Sequence, residues 1–254
     1  MFGFKKKRIG FDELPADVQE QMSMLEVVMM EGGDALGIVS RIAKKYPGFV
    51  EGRLNLATLQ LREGSRAYAR TTYEKVLDDF PDELGAIAGL ATIFAEEQKY
   101  DDAEAYARKA LDGGYQWSVC YGVIAEAREQ AGDPESAAQY YLDGYRLSPH
   151  SWNYLEHYCR LKGRAYTPPL EDVEPFITMQ QLDELINFID RTANTPDASG
   201  SAPGCDHTLR FAERWAAEND VDVIELYQFV NRHGGFCDCE ICFNVSNLLE
   251  AADE

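Results

Sequence analysis

Ala35, Ala69, Ala103 and Ala137 stand 34 residues apart, and this spacing constrains the fold more than any other feature of the chain. The same offset relates Ser23, Ala57, Ala91 and Ala125. It relates Val39, Tyr73, Ala107 and Tyr141, and it places Pro47, Pro81 and Pro149 on one grid, with Tyr115 standing where a further proline would be. A repeat of this length describes one supersecondary unit that cannot bury its apolar face alone and must stack on its neighbours. Small residues at two places per unit let two helices approach closely enough to interdigitate.

Helix punctuation agrees with the period. Leu54 to Arg62 reads as a first helix broken by Gly64, and Tyr68 to Leu77 as a second that ends before Pro81. The next pair is Ala86 to Gln98 and Tyr100 to Leu111, closed by Gly113-Gly114. A third pair is Val119 to Ala131 and Glu135 to Leu147, separated by Gly132-Asp133-Pro134, a break, an N-cap and an N1 proline in sequence. Ahead of these, Met22, Leu25 and Met29 share one helical face before a Gly32-Gly33 turn, and Trp152 to Leu161 supplies a first helix alone, as caps would. The pattern resembles the tetratricopeptide repeat over residues 16–163, with units near 16–49, 50–83, 84–117 and 118–151 and a capping helix at 152–163. The resemblance implies a mainly α fold, a right-handed α-α superhelix whose concave face, lined by first helices, binds a peptide or partner helix.

Relatives that clamp acidic chaperone tails use Lys, Arg and Asn at groove positions that here hold Leu54, Thr58, Gly85, Gly89, Val119 and Val123, so no carboxylate clamp is expected. The candidate groove consists of Leu54, Thr58, Arg62, Thr92, Val119, Val123 and Glu126. Glu51, Glu96 and Glu129 add to its field, which suits a basic or amphipathic segment, although each glutamate taken singly reads as part of a solvated helix face.

Charge narrows the ligand class further. Twenty-four Lys and Arg against 44 Asp and Glu give −20, a surface that repels phosphate backbones, so nucleic acid is not an expected partner. Apolar runs stay short of the ~20 residues that cross a bilayer, no signal-peptide core forms, and a cytoplasmic chain is expected. The first ten residues carry +4 through Lys5, Lys6, Lys7 and Arg8, and residues 1–15 read as a basic, solvated tail. Six cysteines gathered toward one end do not form a disulfide framework; thiols free for metal or burial are expected, with Cys120 and Cys159 buried in helix packing.

Beyond the repeats, residues 164–204 read as a hinge with prolines at 168, 169 and 175, an amphipathic helix at 179–190 (Met179, Leu182, Leu185, Ile186, Ile189) and a flexible linker from Ala193 to Gly204. Residues 205–254 read as a small module. One helix runs from Thr208 to Asn219 with Leu209, Phe211, Ala212 and Trp215 on its apolar side. A second is capped by Asp222 with Glu225 as its capping-box partner and ends at Gly234-Gly235. Two such helices bury too little to stand alone and need a metal or a host surface. Cys205-Asp206-His207-Thr208-Leu209-Arg210, Trp215, His233-Gly234-Gly235, Cys237-Asp238-Cys239-Glu240 and Asn244-Val245 together resemble the domain of unknown function 2695 family over residues 205–246. Cys242 stands where that family usually has an apolar residue.

Chemistry favours structural zinc held by Cys205, His207, Cys237 and Cys239, two pairs with one intervening residue each. Cys242 is the reserve ligand, since Cys239 and Cys242 have the more familiar two-residue spacing and could replace a member of the set. Asp206, Asp238 and Glu240 read as supporting groups or as exposed turn residues. No catalytic residue is assigned: His150 and His157 belong to the end of the repeat stack, His233 sits at a helix end, and no phosphate loop or nucleophile constellation is present. The expected function is a protein-interaction adaptor with a zinc-stabilised module. The alternative is a metal-dependent enzyme, a hydrolase or a thiol redox protein, whose repeats recruit a protein substrate.

Overall fold

The computed structural model describes residues 6–168, 176–196 and 203–252, and every regular element among them is helical. The chain forms two compact units, the first ending at Gly132 and the second beginning at Asp133.

The first unit contains α1 (Ala16–Ser23), α2 (Leu25–Met30), α3 (Ala35–Lys45), α4 (Val50–Arg62), α5 (Arg66–Asp79), α6 (Leu84–Glu96), α7 (Tyr100–Asp112) and α8 (Ser118–Gln130). Each helix packs on the next from α3 onward, while α4 also packs on α6 and α6 on α8, so the first helices of successive repeats share one face. The alanines of the 34-residue grid explain how: Ala57, Ala69, Ala103 and Ala125 are wholly buried where helices cross. Gly64 leaves α4 with φ +75°, a left-handed turn that the Cβ of other residues disfavours.

Tyr73 shows how neighbouring units lock. Its ring fills the space left by Gly89, where a Cβ would lie 2.2 Å from the ring, and its hydroxyl meets Thr58 Oγ1 at 3.1 Å. Gly89 is therefore a packing position rather than an open groove position. The basic stretch at 6–8 is exposed yet paired: Lys6 meets Asp79 at 3.0 Å, Lys7 meets Glu13 at 3.2 Å, and Arg8 meets Glu83 at 3.0 Å. Acidic groups within reach of the cations hold the segment on the domain, and residues 1–5 lie outside the described residues.

The second unit contains α9 (Pro134–Leu147), α10 (Trp152–Leu161), α11 (Met179–Asn194), α12 (Arg210–Glu218), α13 (Val223–Arg232), α14 (Asp238–Glu240), a π-helical turn (Ile241–Val245) and α15 (Asn247–Ala252). One continuous core runs through it, from Tyr145 and Leu155 through Leu182, Leu185 and Ile189 to Trp215, Tyr227, Ile241 and Val245. Polar contacts follow the same route: Arg146 reaches Glu213 at 3.1 Å, and buried Asn231 donates to the Tyr145 hydroxyl at 2.8 Å. The expected division, repeats to 163 and a flexibly joined module from 205, is thus replaced by a shared core of α9–α13. The host surface that two short helices require is supplied by the last repeat helix, the capping helix and α11. At the linker's edge the Gly204 amide donates to the Ala193 carbonyl at 3.0 Å, while residues 169–175 of the hinge and 197–202 of the linker lie outside the described residues.

Asp222 begins α13 by accepting from the Ile224 and Glu225 amides at 2.9 and 3.0 Å and pairs with Arg164 at 2.7 Å. Burial raises its pKa, but Arg164 and the two amides outweigh burial and hold it below the ordinary value. Because the folded pKa is depressed, the cap stabilises above the unfolded pKa and is lost as pH falls through the folded one. Asp222→Ala is expected to cost about 1–2 kcal/mol at neutral pH, and thermal melts at neutral and acid pH should show this difference shrinking as pH falls.

Candidate metal centre

Two turns carry the candidate ligands. In the first, Asp206 accepts from the Thr208 amide at 3.1 Å and its hydroxyl at 2.6 Å, and pairs with Arg210 at 2.8 Å. Arg210 also donates to the Pro203 and Gly204 carbonyls at 3.3 and 2.8 Å, pinning the approach to Cys205. His207 takes φ +62°, uncommon for a residue with a side chain, and its amide donates to Cys205 Sγ at 3.3 Å. The turn thereby brings Cys205 and His207 to one side.

In the second turn Cys237 and Cys239 flank Asp238, with their sulfurs 3.2 Å apart. The Phe236 amide donates to Glu240 at 3.0 Å. Asp238 joins the two turns: its amide donates to the Thr208 carbonyl at 2.9 Å, and its carboxylate accepts from the Phe211 and Ala212 amides, each at 3.0 Å.

The ligand atoms of Cys205, His207, Cys237 and Cys239 all lie within 4.8 Å of one another. Tetrahedral zinc, with sulfur at about 2.3 Å and nitrogen at about 2.0 Å, places the atoms of three thiolates and one imidazole about 3.5–3.8 Å apart, so small side-chain adjustments close the set. Cys237 is buried, Cys205 and Cys239 are half-buried, and His207 is exposed. Burial, and then contact with Cys239, push the Cys237 thiol up; the Cys239 thiol is pulled down by Cys237, but burial and Cys205 leave it raised. Burial and the Cys205 sulfur oppose thiolates here, and a divalent cation reverses that preference. Three thiols with one imidazole are a soft donor set that could hold such an ion. Cys242 is not in the cluster: it packs against the core of the second unit, where burial pushes its thiol to about 11. Cys120 and Cys159 are buried in helices.

The candidate groove residues divide. Leu54 and Thr58 line a cavity of about 490 Å³ with Tyr115 and Trp117, and Thr58 and Arg62 line a second of about 370 Å³ with Met22 and Met29. Val123, at 6% exposure, is instead a core residue, and Val119 is half-buried. The Thr92 hydroxyl turns back to the Ala88 carbonyl at 3.4 Å. Glu126 is half-buried, its carboxyl pushed up by burial although Tyr100 hydrogen-bonds to it. Neither cavity is lined by any of these four. Glu51 and Glu96 are paired with Arg8 and Arg66 at 3.4 and 2.6 Å, which lowers the acidity expected of the groove. Asn55, Glu83, Tyr115 and Trp117 were not expected in the lining; the only sequence signal was Tyr115 at a grid position otherwise held by proline.

Residues 185–244 match the model of a family described as a protein of unknown function, DUF2695. Two curated relatives, the uncharacterized proteins Rv2271 of Mycobacterium tuberculosis and Mb2294 of Mycobacterium bovis, are each 38% identical over 69 residues. The match covers 27% of this chain and 63% of each relative, so the chain spans less than two thirds of their length. Among solved structures, MamA (residues 41 to the end) from Desulfovibrio magneticus RS-1 aligns with a TM-score of 0.46 at 14% identity, covering 59% of this chain and 85% of that one. YrrB, titled a TPR protein with an unusual peptide-binding site, aligns with a TM-score of 0.43 at 13% identity, covering 85% and 98%. With its 34-residue period and paired helices, the chain has a helical repeat architecture that resembles the tetratricopeptide repeat, and residues 185–244 are similar to the DUF2695 family.

Proposed function

We propose that this chain is a non-enzymatic adaptor that holds a basic or amphipathic segment of a partner protein on the first-helix face of its repeats, and that zinc stabilises its C-terminal turns. The observation that carries the reading is the double use of α4: Asn55 and Thr58 line both cavities, so the two depressions lie along one helix face that an extended or helical segment can span. Glu51, Glu83 and Glu26 border these depressions and favour cationic ligands. For the metal, four protein donors complete a tetrahedron and leave no position for substrate, which favours a structural over a catalytic ion. Among the described residues no helix is long and apolar enough to cross a membrane.

A peptide array of basic, amphipathic and acidic segments tests the groove. Basic peptides are expected to be captured preferentially, and Thr58→Arg, which adds bulk and positive charge to both cavities, is expected to weaken capture about tenfold or more. Preferential capture of acidic tails would overturn the reading.

A further inference from the structure

A ligand-like piece of the chain itself lies on Glu51 and Glu83, which line the larger cavity, and on Asp79. Lys6 Nζ lies 3.0 Å from Asp79, and Arg8 reaches Glu83 at 3.0 Å and Glu51 at 3.4 Å. Between these cations Lys7 turns to Glu13, so side chains alternate along residues 6–8 as on an extended strand. The Ile9 amide donates to the Gly48 carbonyl at 2.9 Å, and the Lys7 carbonyl passes so near Gly48 that a Cβ there would lie 2.2 Å from it. Arg8 itself lines the cavity beside Leu54, Thr58, Tyr115 and Trp117.

Exposure differs between the two sides of the Lys6–Asp79 and Arg8–Glu83 pairs, though not of Arg8–Glu51. The Glu83 and Asp79 side chains are 11% and 20% exposed, whereas Arg8 and Lys6 are 54% and 45% exposed. Arg53, 2.7 Å from Asp79, fixes that acceptor independently of Lys6. The acceptors are thus held in place while the cations on them remain half in water, where an ion pair is weakly held and readily exchanged.

We infer that the cavity formed by α4, α6 and the turn at Tyr115–Trp117 receives an extended basic segment of a partner protein, whose two cations, two residues apart, displace Lys6 and Arg8. An apolar side chain of that segment occupies the space between Leu54, Tyr115 and Trp117. The inference rests on the adaptor reading and adds to it both the occupant and the internal competitor.

The probe is a fluorescein-labelled peptide with the sequence of residues 4–11, Phe-Lys-Lys-Lys-Arg-Ile-Gly-Phe, titrated into the full chain and read by anisotropy. The Lys6→Ala/Arg8→Ala variant no longer keeps the site occupied and is expected to bind it about tenfold more tightly than the unaltered chain. Adding Glu51→Gln and Glu83→Gln should abolish the gain. Gly48→Ala, which obstructs the Lys7 carbonyl and alters no acidic group, should reproduce the gain by a second route. Equal affinity of the unaltered chain and both variants, or binding that survives the two Gln substitutions, overturns the inference. So does a dimer of the unaltered chain that Arg8→Ala dissociates in sedimentation, because the occupant would then be a second copy. Failure of the adaptor reading is separately visible as array capture indifferent to Thr58→Arg.

Discussion

Replacing Cys237 by alanine is expected to take zinc from about one ion per chain to near zero and to lower the thermal midpoint of the second unit by roughly 10 °C. Cys237 is the buried member of the four, so its loss removes one thiolate and leaves Cys205, His207 and Cys239 as an incomplete set with a void on the inner side. The expected fall is a partial one. Zinc fingers that lack another core unfold without metal, but here Leu182, Trp215, Tyr227 and Ile241 remain packed in a core that the metal does not create. Cys242→Ala is the control: it trims the same core yet should retain the ion, because Cys242 lies outside the cluster. Elemental analysis with circular-dichroism melts checks both variants. A strong chelator should lower the midpoint of the unaltered chain toward that of the Cys237 variant, which also carries the void, and leave that variant unmoved. Near-zero zinc in unaltered protein purified without chelator would sink the assignment.

The repeat architecture was legible because the period records burial directly. Ala57, Ala69, Ala103 and Ala125 recur where helices touch, and a larger side chain at any of them would push neighbours apart. The boundary between units was not legible, because it depends on contacts that no local pattern carries: Tyr145 and Asn231 meet across 86 residues of sequence. A flexible junction was the reading that composition allowed, and a shared core formed because α10 and α11 offer Leu155, Cys159, Leu185 and Ile189 to the same apolar faces as Trp215 and Tyr227.

At the metal cluster, residue type and spacing reached the same four residues that the fold gathers, but spacing alone left Cys242 open. Along the helical path from Asp238 through Val245, Cys242 packs against the core of the second unit and is not one of the four clustered groups. In the groove, sequence could name a helix face but not its depth. Val123 fell below the surface, and Glu83 and Trp117, outside the first-helix positions considered, came to line the cavity.

Asp238→Ala is expected to cost about 3 kcal/mol and to weaken zinc binding roughly tenfold or more, although Asp238 contributes no ligand. Its sequence position allowed a supporting group or an exposed turn residue; in the fold it is 1% exposed and accepts from the first amides of α12. Burial pushes its carboxyl up to about 6, and the hydrogen bonds from the Phe211 and Ala212 amides oppose that rise only in part. Alanine would leave both donors buried without an acceptor, at about 1–3 kcal/mol each before relaxation. Asparagine keeps one acceptor oxygen, so Asp238→Asn should lose about half as much. The effect on zinc follows from position: Cys237 and Cys239 are its chain neighbours, and the hydrogen bond its amide donates to the Thr208 carbonyl holds the Cys205–His207 turn against them. Urea denaturation measures the first effect, and competition with a chromophoric chelator measures the second. Unchanged zinc affinity beside the full loss of stability would mean that the thiols keep their geometry without the cap, and the two turns would then have to be joined by the metal itself.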